Sequence, residues 1–368
     1  MPIGGHLSLE RMYKSIQGCR AFAALLVVLH HLGFAMASGK YFGAATFKVP
    51  FIFGDSGVEF FFVLSGFIIT WAHFGEFGKP AGLLRYLRKR AVRIYPPYWI
   101  IFGMVYLLAQ LSPALRSTVP HDYPALLKSL ALLPQDPLVV GGNGSPVLIV
   151  AWSLQYEICF YALMGVFIVS RSLGALISIA LLINLGTCHL GACDFPRSFF
   201  ANNLILLFGL GVLIACCGKS AVQIKQPVLV ATIAATAFMS LGVFEVVFGT
   251  ETPPVDRRLV YGVLSGVAIF ALVQAESSKQ LRISNRWMPL LGDSSYSLYL
   301  IHYPLISALC KLLIFAGLAG TAGAIVAYPV ILCVCVSASL AFHSLLESPL
   351  IRALSSSRFA ASPIHGPS

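Results

Sequence analysis

Charged residues are scarce in this chain, and acidic residues are the scarcest. Only 11% of its 368 residues are charged, with 14 aspartates and glutamates in total, whereas 58% are hydrophobic. A soluble globular protein carries about 25% charged residues. So few charges cannot cover a water-soluble core of this length. The composition therefore excludes a soluble globular protein and predicts a polytopic membrane protein.

Two kinds of motif are also absent. The nine cysteines show no CxxC or Cys/His spacing, so no metal site is predicted. The glycine-rich segment at 141–145 has no Lys-Ser/Thr pair after it, which favours a flexible connector over a phosphate cradle. Cys188 and Cys193 bracket a short loop, and we expect them to pair if that loop is extracytoplasmic.

Long apolar runs occupy most of the chain. A hydrocarbon core of ~30 Å needs about 20 apolar residues per helix, and about ten runs meet that need. We therefore predict an all-α fold, a polytopic transmembrane bundle of about ten helices, with no clear internal repeat. The runs lie at about 16–36, 51–72, 94–112, 147–169, 173–189, 198–217, 227–248, 259–275, 296–317 and 321–345.

The basic residues indicate how the bundle is oriented. Most of the 25 lysines and arginines fall in cytoplasmic segments if both termini are placed in the cytoplasm. This predicts a cytoplasmic tail at 1–15, a transmembrane domain at 16–354 and a second cytoplasmic tail at 355–368. The net charge of +11 then reflects membrane topology, and we predict no nucleic-acid partner.

Five polar residues lie inside the apolar runs, where ionisable groups are costly and usually functional. They are Arg20, His31, Glu59, Glu157 and His302. Their estimated depths place all five in one layer of the membrane, which scattered accidents would not produce.

Helical phase distinguishes the adjacent histidines of the first run. Eleven residues make three turns plus ~20°, so Arg20 and His31 share a face about 16 Å apart. His30 points about 80° away from that face. The alternative for either histidine is a structural hydrogen bond to the backbone of a neighbouring helix.

Glu59 lies beside three phenylalanines in "GVEFFFVLSGF". A carboxylate in such surroundings needs a cation or a donor. A histidine is a suitable partner, because a carboxylate can fix its tautomer as in hydrolase triads. The alternative is a structural ion pair with an arginine. Ser65 and Gly66 are interpreted as helix-packing residues.

Arg90 and Arg93 close a cluster of five basic residues at 85–93. The cluster as a whole is typical of a cytoplasmic membrane anchor. Anchoring does not explain Arg93, which abuts the apolar run. The i, i+3 spacing makes a fork on one helix face that suits phosphate, so we predict that a cytoplasmic phosphorylated donor binds there.

Two further segments combine aromatic and ionisable residues. Trp152 and Glu157 lie in "AWSLQYEICFY", where Trp152 suits stacking or a membrane-interface position. Glu157 is predicted either to bind sugar hydroxyls or to hold an arginine. Tyr299 and His302 lie in "SYSLYLIHYP" and share a helix face. We assign these four residues to substrate binding.

Together these segments resemble the acyltransferase-3 family of integral membrane acyltransferases, which O-acylate exopolysaccharides, O-antigens and related glycans. The resemblance runs from about residue 16 to about residue 354, and five ordered segments carry it. Glu59 stands where the family commonly has aspartate. The segments are Arg20 and His31 with ten residues between them, "GVEFFFVLSGF", "RAVRIYPPYW" from Arg90, "WSLQYE" from Trp152, and "SYSLYLIHYP" ending at Pro304.

The resemblance implies an acyl-CoA-dependent O-acyltransferase, multi-pass in a bacterial inner membrane. Its co-substrate would be cytoplasmic acyl-CoA, with acetyl-CoA expected, and its acceptor an extracytoplasmic or lipid-linked polysaccharide. His31 would be the general base or carry the acyl group as a relay. Glu59 would orient His31, and Arg20 would stabilise the oxyanion or position the donor.

Three other functions stay open at this point. Buried arginine, histidine and glutamate also make proton relays, so a polysaccharide or small-molecule transporter is one alternative. A structural subunit of a polysaccharide export complex is another, and a membrane acyltransferase of a different fold is a third. The acceptor sugar and the oligomeric state do not follow from the sequence.

Overall fold

The computed structural model describes residues 13–220, 222–249, 256–284 and 287–356. Most of the two predicted tails, together with Arg11, Arg286 and Arg358, lies outside these ranges. The placement of both termini in the cytoplasm stays a prediction.

The described residues form an all-helical bundle without strands, as predicted. Nine helical stretches among them are long and apolar enough to cross a membrane. The predicted sixth run instead forms the shorter helix α6, of 16 residues. The main helices are α1 (Lys14–Ala37), α2 (Ser56–His73), α3 (Leu83–Leu111), α4 (Trp152–Val169), α5 (Arg171–Leu190), α6 (Leu204–Lys219), α7 (Pro227–Phe248), α8 (Arg257–Ser277), α9 (Ser295–Phe315) and α10 (Gly320–Phe342).

Shorter helical segments connect the main helices. A 3₁₀ segment, Ala45–Asp55, leads directly into α2. Trp287–Asp293 precedes α9, and a π-helical turn, His343–Glu347, joins α10 to the terminal helix Ser348–Ser356. The remaining short segments are Phe74–Glu76, Pro80–Gly82, Pro113–Arg116, Tyr123–Leu130, Pro137–Val140, Ile149–Ala151 and Phe199–Ala201.

Helices α1 and α2 lie at the centre of the bundle. Of the 18 most apolar consecutive residues of each span, 61% are buried in α1 and 78% in the span that contains α2, against 11% in α5. The exposed leucines and isoleucines of α5, such as Leu176 and Ile183, face outward, as a lipid-facing helix requires. The two helices that carry Arg20, His31 and Glu59 are thus enclosed by the others.

Glycine residues, which have no side chain, allow α2 and α6 to approach closely. A Cβ added at Gly66 would lie 2.4 Å from the Phe208 carbonyl oxygen, and one at Gly211 would lie 2.1 Å from the Val63 carbonyl oxygen. Small residues at such contacts let the backbones of membrane helices approach. The predicted packing role of Gly66 is therefore confirmed, and α6 is fixed against the core although it is short.

Aromatic residues of α3 attach the long connection between α3 and α4. Tyr98 donates to the Ser129 carbonyl oxygen at 2.7 Å, Trp99 to Leu130 at 2.9 Å and Tyr95 to Ala131 at 3.0 Å. These carbonyls lie at or just after the C-terminal end of the helix Tyr123–Leu130, where backbone carbonyls lack a following helical turn. The "YPPYW" sequence thereby caps this connection.

Two smaller predictions also agree with the structure. Cys188 and Cys193 form a disulfide. In the segment 141–145, Gly141, Gly142 and Gly144 have φ angles of 80°, 60° and 83°, which L residues rarely adopt. The segment is a turn-forming connector.

A methyl group at Gly211 should loosen the bundle. We expect Gly211→Ala to cost about 1–3 kcal/mol, as overpacking of a tight contact does. The apparent melting temperature of the purified protein in detergent should fall by several degrees. The matched control is Gly209→Ala on the same helix, because a Cβ there meets nothing within 4 Å. Equal melting temperatures for the two variants would contradict the packing described.

Candidate active site

A cavity of about 370 Å³ opens between α1, α2, α3, α4, α9 and the terminal helix. Four cationic side chains and one carboxylate line it, so the cavity is electropositive. Aromatic residues, including Phe61, Tyr161, Tyr296 and Tyr299, form much of the remaining wall. The charged residues are Arg20, Lys89, Arg90, Arg93 and Glu157.

Arg90 is held in the cavity wall without a carboxylate partner among the described residues. Its Nη2 donates to His73 Nε2 at 3.2 Å, and His73 Nδ1 lies 2.9 Å from Glu76. The guanidinium lies 5.7 Å and 5.5 Å from the ring centroids of Tyr86 and Tyr161, which attract a cation through their faces. Its Nε is buried without a hydrogen-bond partner. Arg90 thus presents a cationic side chain in the cavity wall.

Arg93 lies on the same face of α3 but in a different electrostatic environment. Its Nη1 is 3.4 Å from Oε1 of Glu347, whose side chain is fully buried. Glu347 also accepts hydrogen bonds from Ser297 and His343. The predicted fork is present in the cavity wall, with Arg93 beside the buried carboxylate of Glu347.

Arg20 and Glu157 bring two more helices to this cavity. Arg20 is 8% exposed and lines the wall from α1. Glu157 accepts from the hydroxyls of Tyr161 and, at 3.5 Å, Ser65. Whether Glu157 binds sugar hydroxyls or holds an arginine stays a prediction. The packing role assigned to Ser65 is incomplete, because Ser65 lines the cavity.

Tyr299 lines the cavity and also contacts the histidine pair described below. Its hydroxyl lies 2.6 Å from Ser153 Oγ and 2.9 Å from the Val150 carbonyl oxygen. Its ring centroid is 5.8 Å from that of His302. Trp152, in contrast, does not line the cavity and packs edge-on against Tyr156.

His31 and His302 form a hydrogen-bonded pair between α1 and α9. His302 Nε2 lies 3.1 Å from His31 Nδ1, and the ring centroids are 5.1 Å apart. His30 instead has its Nδ1 3.1 Å from the Phe51 carbonyl oxygen. His30 thus makes the backbone contact that was the structural alternative, whereas the predicted path shared by Arg20 and His31 stays a prediction. The cavity itself reaches Arg20 but is not lined by His31.

The predicted contact between Glu59 and His31 is wrong. Glu59 Oε1 lies 3.6 Å from Arg258 Nε at the start of α8, so the alternative ion pair with an arginine is the one observed. Helix phase explains this. Gly57 abuts Ala23 of α1, where an added Cβ would lie 2.4 Å from the Ala23 carbonyl oxygen. Two residues further, about 200° around α2, Glu59 points away from α1.

The carboxylate of Glu59 belongs to a wider ion-pair cluster. Arg257 contacts Asp55 at 2.5 Å and Glu245 at 3.2 Å. Glu59 and Glu245 are 5% and 2% exposed. This cluster ties α2, α7 and α8 together through charges that burial would otherwise make costly.

Sequence reasoning missed Tyr161, which lines the cavity, and His73, which contacts Arg90. Tyr161 is four residues after Glu157 on α4, so the i, i+4 spacing was a usable signal. His73 contacts Arg90 across 17 positions, and no local pattern marks that contact.

A model of the acyltransferase domain family, acyltransferase type 3, matches residues 13–343. This chain belongs to the acyltransferase-3 family. The predicted family is confirmed, and membership favours an acyltransferase over the transporter alternative. No solved structure matches the chain.

Several bacterial proteins are similar in sequence to this acyltransferase-3 chain. The exopolysaccharide production protein ExoZ of Rhizobium meliloti is 30% identical over 308 residues, 82% of this chain and 91% of ExoZ. The putative peptidoglycan O-acetyltransferase YrhL of Bacillus subtilis is 28% identical, and the O-acetyltransferase OatA of Staphylococcus aureus is 25% identical. Each match covers 81% of this chain, but only 49% of YrhL and 52% of OatA.

Proposed function

We propose that this chain is a membrane O-acyltransferase that moves an acyl group, with acetyl expected, from acyl-CoA to a hydroxyl of a polysaccharide or its lipid-linked precursor. The observation that carries the proposal is an electropositive cavity, inside an acyltransferase-3 bundle, with a histidine pair beyond it. The names of the relatives support the reaction class, since two are O-acetyltransferases and one serves exopolysaccharide production.

Arg90 and Arg93 would bind the phosphates of the coenzyme. Guanidinium groups form strong charge-assisted hydrogen bonds to phosphate, and Arg90 has a buried donor without a partner among the described residues. The apolar arm of the coenzyme then extends past the aromatic wall of the cavity toward Tyr299. Because Tyr299 also touches His302, this path ends at the histidine pair.

His31 would act as the general base. It removes the proton of an acceptor hydroxyl as the hydroxyl oxygen attacks the thioester carbonyl carbon. The tetrahedral intermediate collapses, the C–S bond breaks, and the coenzyme A thiolate takes the proton from the imidazolium. Arg20 either stabilises the oxyanion or positions the donor. A relay through an acetylated His31 gives the same products.

Donor and acceptor would approach from opposite sides. Arg20 and His31 lie eleven residues apart on one helix, about 16 Å along its axis. The arginines at one end of this distance suit the coenzyme, and His31 at the other end would meet the acceptor. Of the predicted acceptor-binding residues, Glu157 and Tyr299 line the cavity, His302 contacts His31, and Trp152 stands with Tyr156 as an aromatic surface for sugar rings.

Replacing His31 should abolish transfer, whereas replacing its neighbour should not. Purified protein is incubated with labelled acetyl-CoA and de-O-acetylated exopolysaccharide, and alkali-labile label on the glycan is counted. We expect His31→Ala to lower kcat by about 10²- to 10⁴-fold, the usual contribution of a general base. The matched control, His30→Ala, removes the hydrogen bond to the Phe51 carbonyl oxygen and the ring contacts with Phe34 and His31. Full activity in folded His31→Ala protein would rule out both schemes for His31.

Arg90→Gln should weaken donor binding more than it slows chemistry. Losing a hydrogen bond to a charged group costs about 1.5–3 kcal/mol, so KM for acetyl-CoA should rise at least tenfold while kcat falls less. The matched control is Arg85→Gln, which removes the same charge from an exposed position on α3 outside the cavity. Equal KM values for the two variants would contradict the assignment of Arg90 to the phosphates.

A further inference from the structure

We propose that His302 is the positioning residue of His31. Its neutral imidazole accepts the Nδ1 proton of His31, so that Nε2 of His31 is the nitrogen that takes the acceptor's proton. The inference rests on the proposed function and deepens it by naming the group that orients His31. The sequence predicted Glu59 for that role. His302 had been predicted only to bind substrate.

The hydrogen bonds of His302 determine which of its nitrogens carries a proton. Its Nδ1 lies 3.0 Å from the Leu298 carbonyl oxygen. A carbonyl oxygen can only accept, so Nδ1 of His302 must be the donor. The side chain is 0% exposed and contacts no carboxylate among the described residues, so the neutral form is favoured. A neutral imidazole carries one proton, and Nε2 of His302 is therefore an acceptor.

The same reasoning assigns the proton of His31. Its Nδ1 lies 3.0 Å from the Val27 carbonyl oxygen and 3.1 Å from His302 Nε2. Both neighbours are acceptors, so Nδ1 of His31 must carry the proton and share it between them. In neutral His31 the lone pair then lies on Nε2, which has no hydrogen-bond partner among the described residues. This nitrogen is available to a substrate hydroxyl.

A neutral orienting group suits this position in the membrane. In hydrolase triads a buried carboxylate holds the histidine in the correct tautomer and stabilises the imidazolium. Here Glu59 is engaged by Arg258, and the position next to His31 Nδ1 is occupied by an imidazole. When Nε2 takes a proton, the Nδ1–H of His31 becomes a charge-assisted donor to His302. No second permanent charge has to be buried.

Two substitutions of His302 separate hydrogen bonding from packing. His302→Leu removes the acceptor, and His302→Gln supplies an amide oxygen near the position of Nε2. We expect His302→Leu to lower kcat by about 10- to 100-fold, as removal of the hydrogen-bond partner of a metal-binding histidine does, with KM for acetyl-CoA within about threefold. His302→Gln should recover most of kcat. His30→Gln is the matched control for changing a neighbouring, partly buried histidine.

The tautomer itself is measured by ¹⁵N NMR of histidine-labelled protein in lipid, with the His31 signals assigned by their loss in His31→Gln. We expect wild-type His31 to be protonated at Nδ1 and bare at Nε2, and to show both tautomers in His302→Leu. If the leucine variant does not fold, the wild-type spectrum and the kcat of the glutamine variant still test whether His302 sets the tautomer of His31.

Three outcomes would overturn the inference. Wild-type His31 protonated at Nε2, or unchanged kcat and tautomer in folded His302→Leu, overturns the inference alone while His31 stays essential. Transfer that survives in His31→Ala overturns the proposed function and the inference with it.

Discussion

A polar group inside a bilayer has no water to bind, so it must find its partner within the protein. That constraint explains why α1 and α2 are the most enclosed spans. They carry Arg20, His31 and Glu59, and the other helices supply what these side chains need. Lipid-facing helices such as α5 are free of ionisable residues over most of their length. The positions of the buried charges therefore determine which helices are central.

The partners divide the polar layer into three parts. Three carboxylates, Asp55, Glu59 and Glu245, form ion pairs with Arg257 and Arg258. The cavity keeps an excess of positive charge, which suits an anionic donor. The third part is an uncharged pair, His31 and His302. A base that has to be neutral to accept a proton is thereby kept away from direct contact with either set of charges.

Much of this arrangement could be predicted from the sequence, because the strongest signals are local. Apolar runs predict the helices, helical phase separates His31 from His30, and the i, i+3 spacing places Arg90 and Arg93 on one face. Contacts between helices could not be predicted in the same way. Glu59 points to α8 because α1 packs against Gly57, on the opposite face of α2. The contact between His73 and Arg90 depends on how α2 and α3 pack. The pairing of His31 with His302 also depends on how two helices, α1 and α9, pack.

We propose that one bundle brings a donor and an acceptor together across the membrane. The most direct test uses sealed proteoliposomes that contain the purified protein, with labelled acetyl-CoA inside and de-O-acetylated polysaccharide only outside. We expect labelled, alkali-labile acetyl groups on the polysaccharide outside the liposomes, while the labelled acetyl-CoA remains inside. Label that appears only when donor and acceptor share one side of the membrane would contradict it.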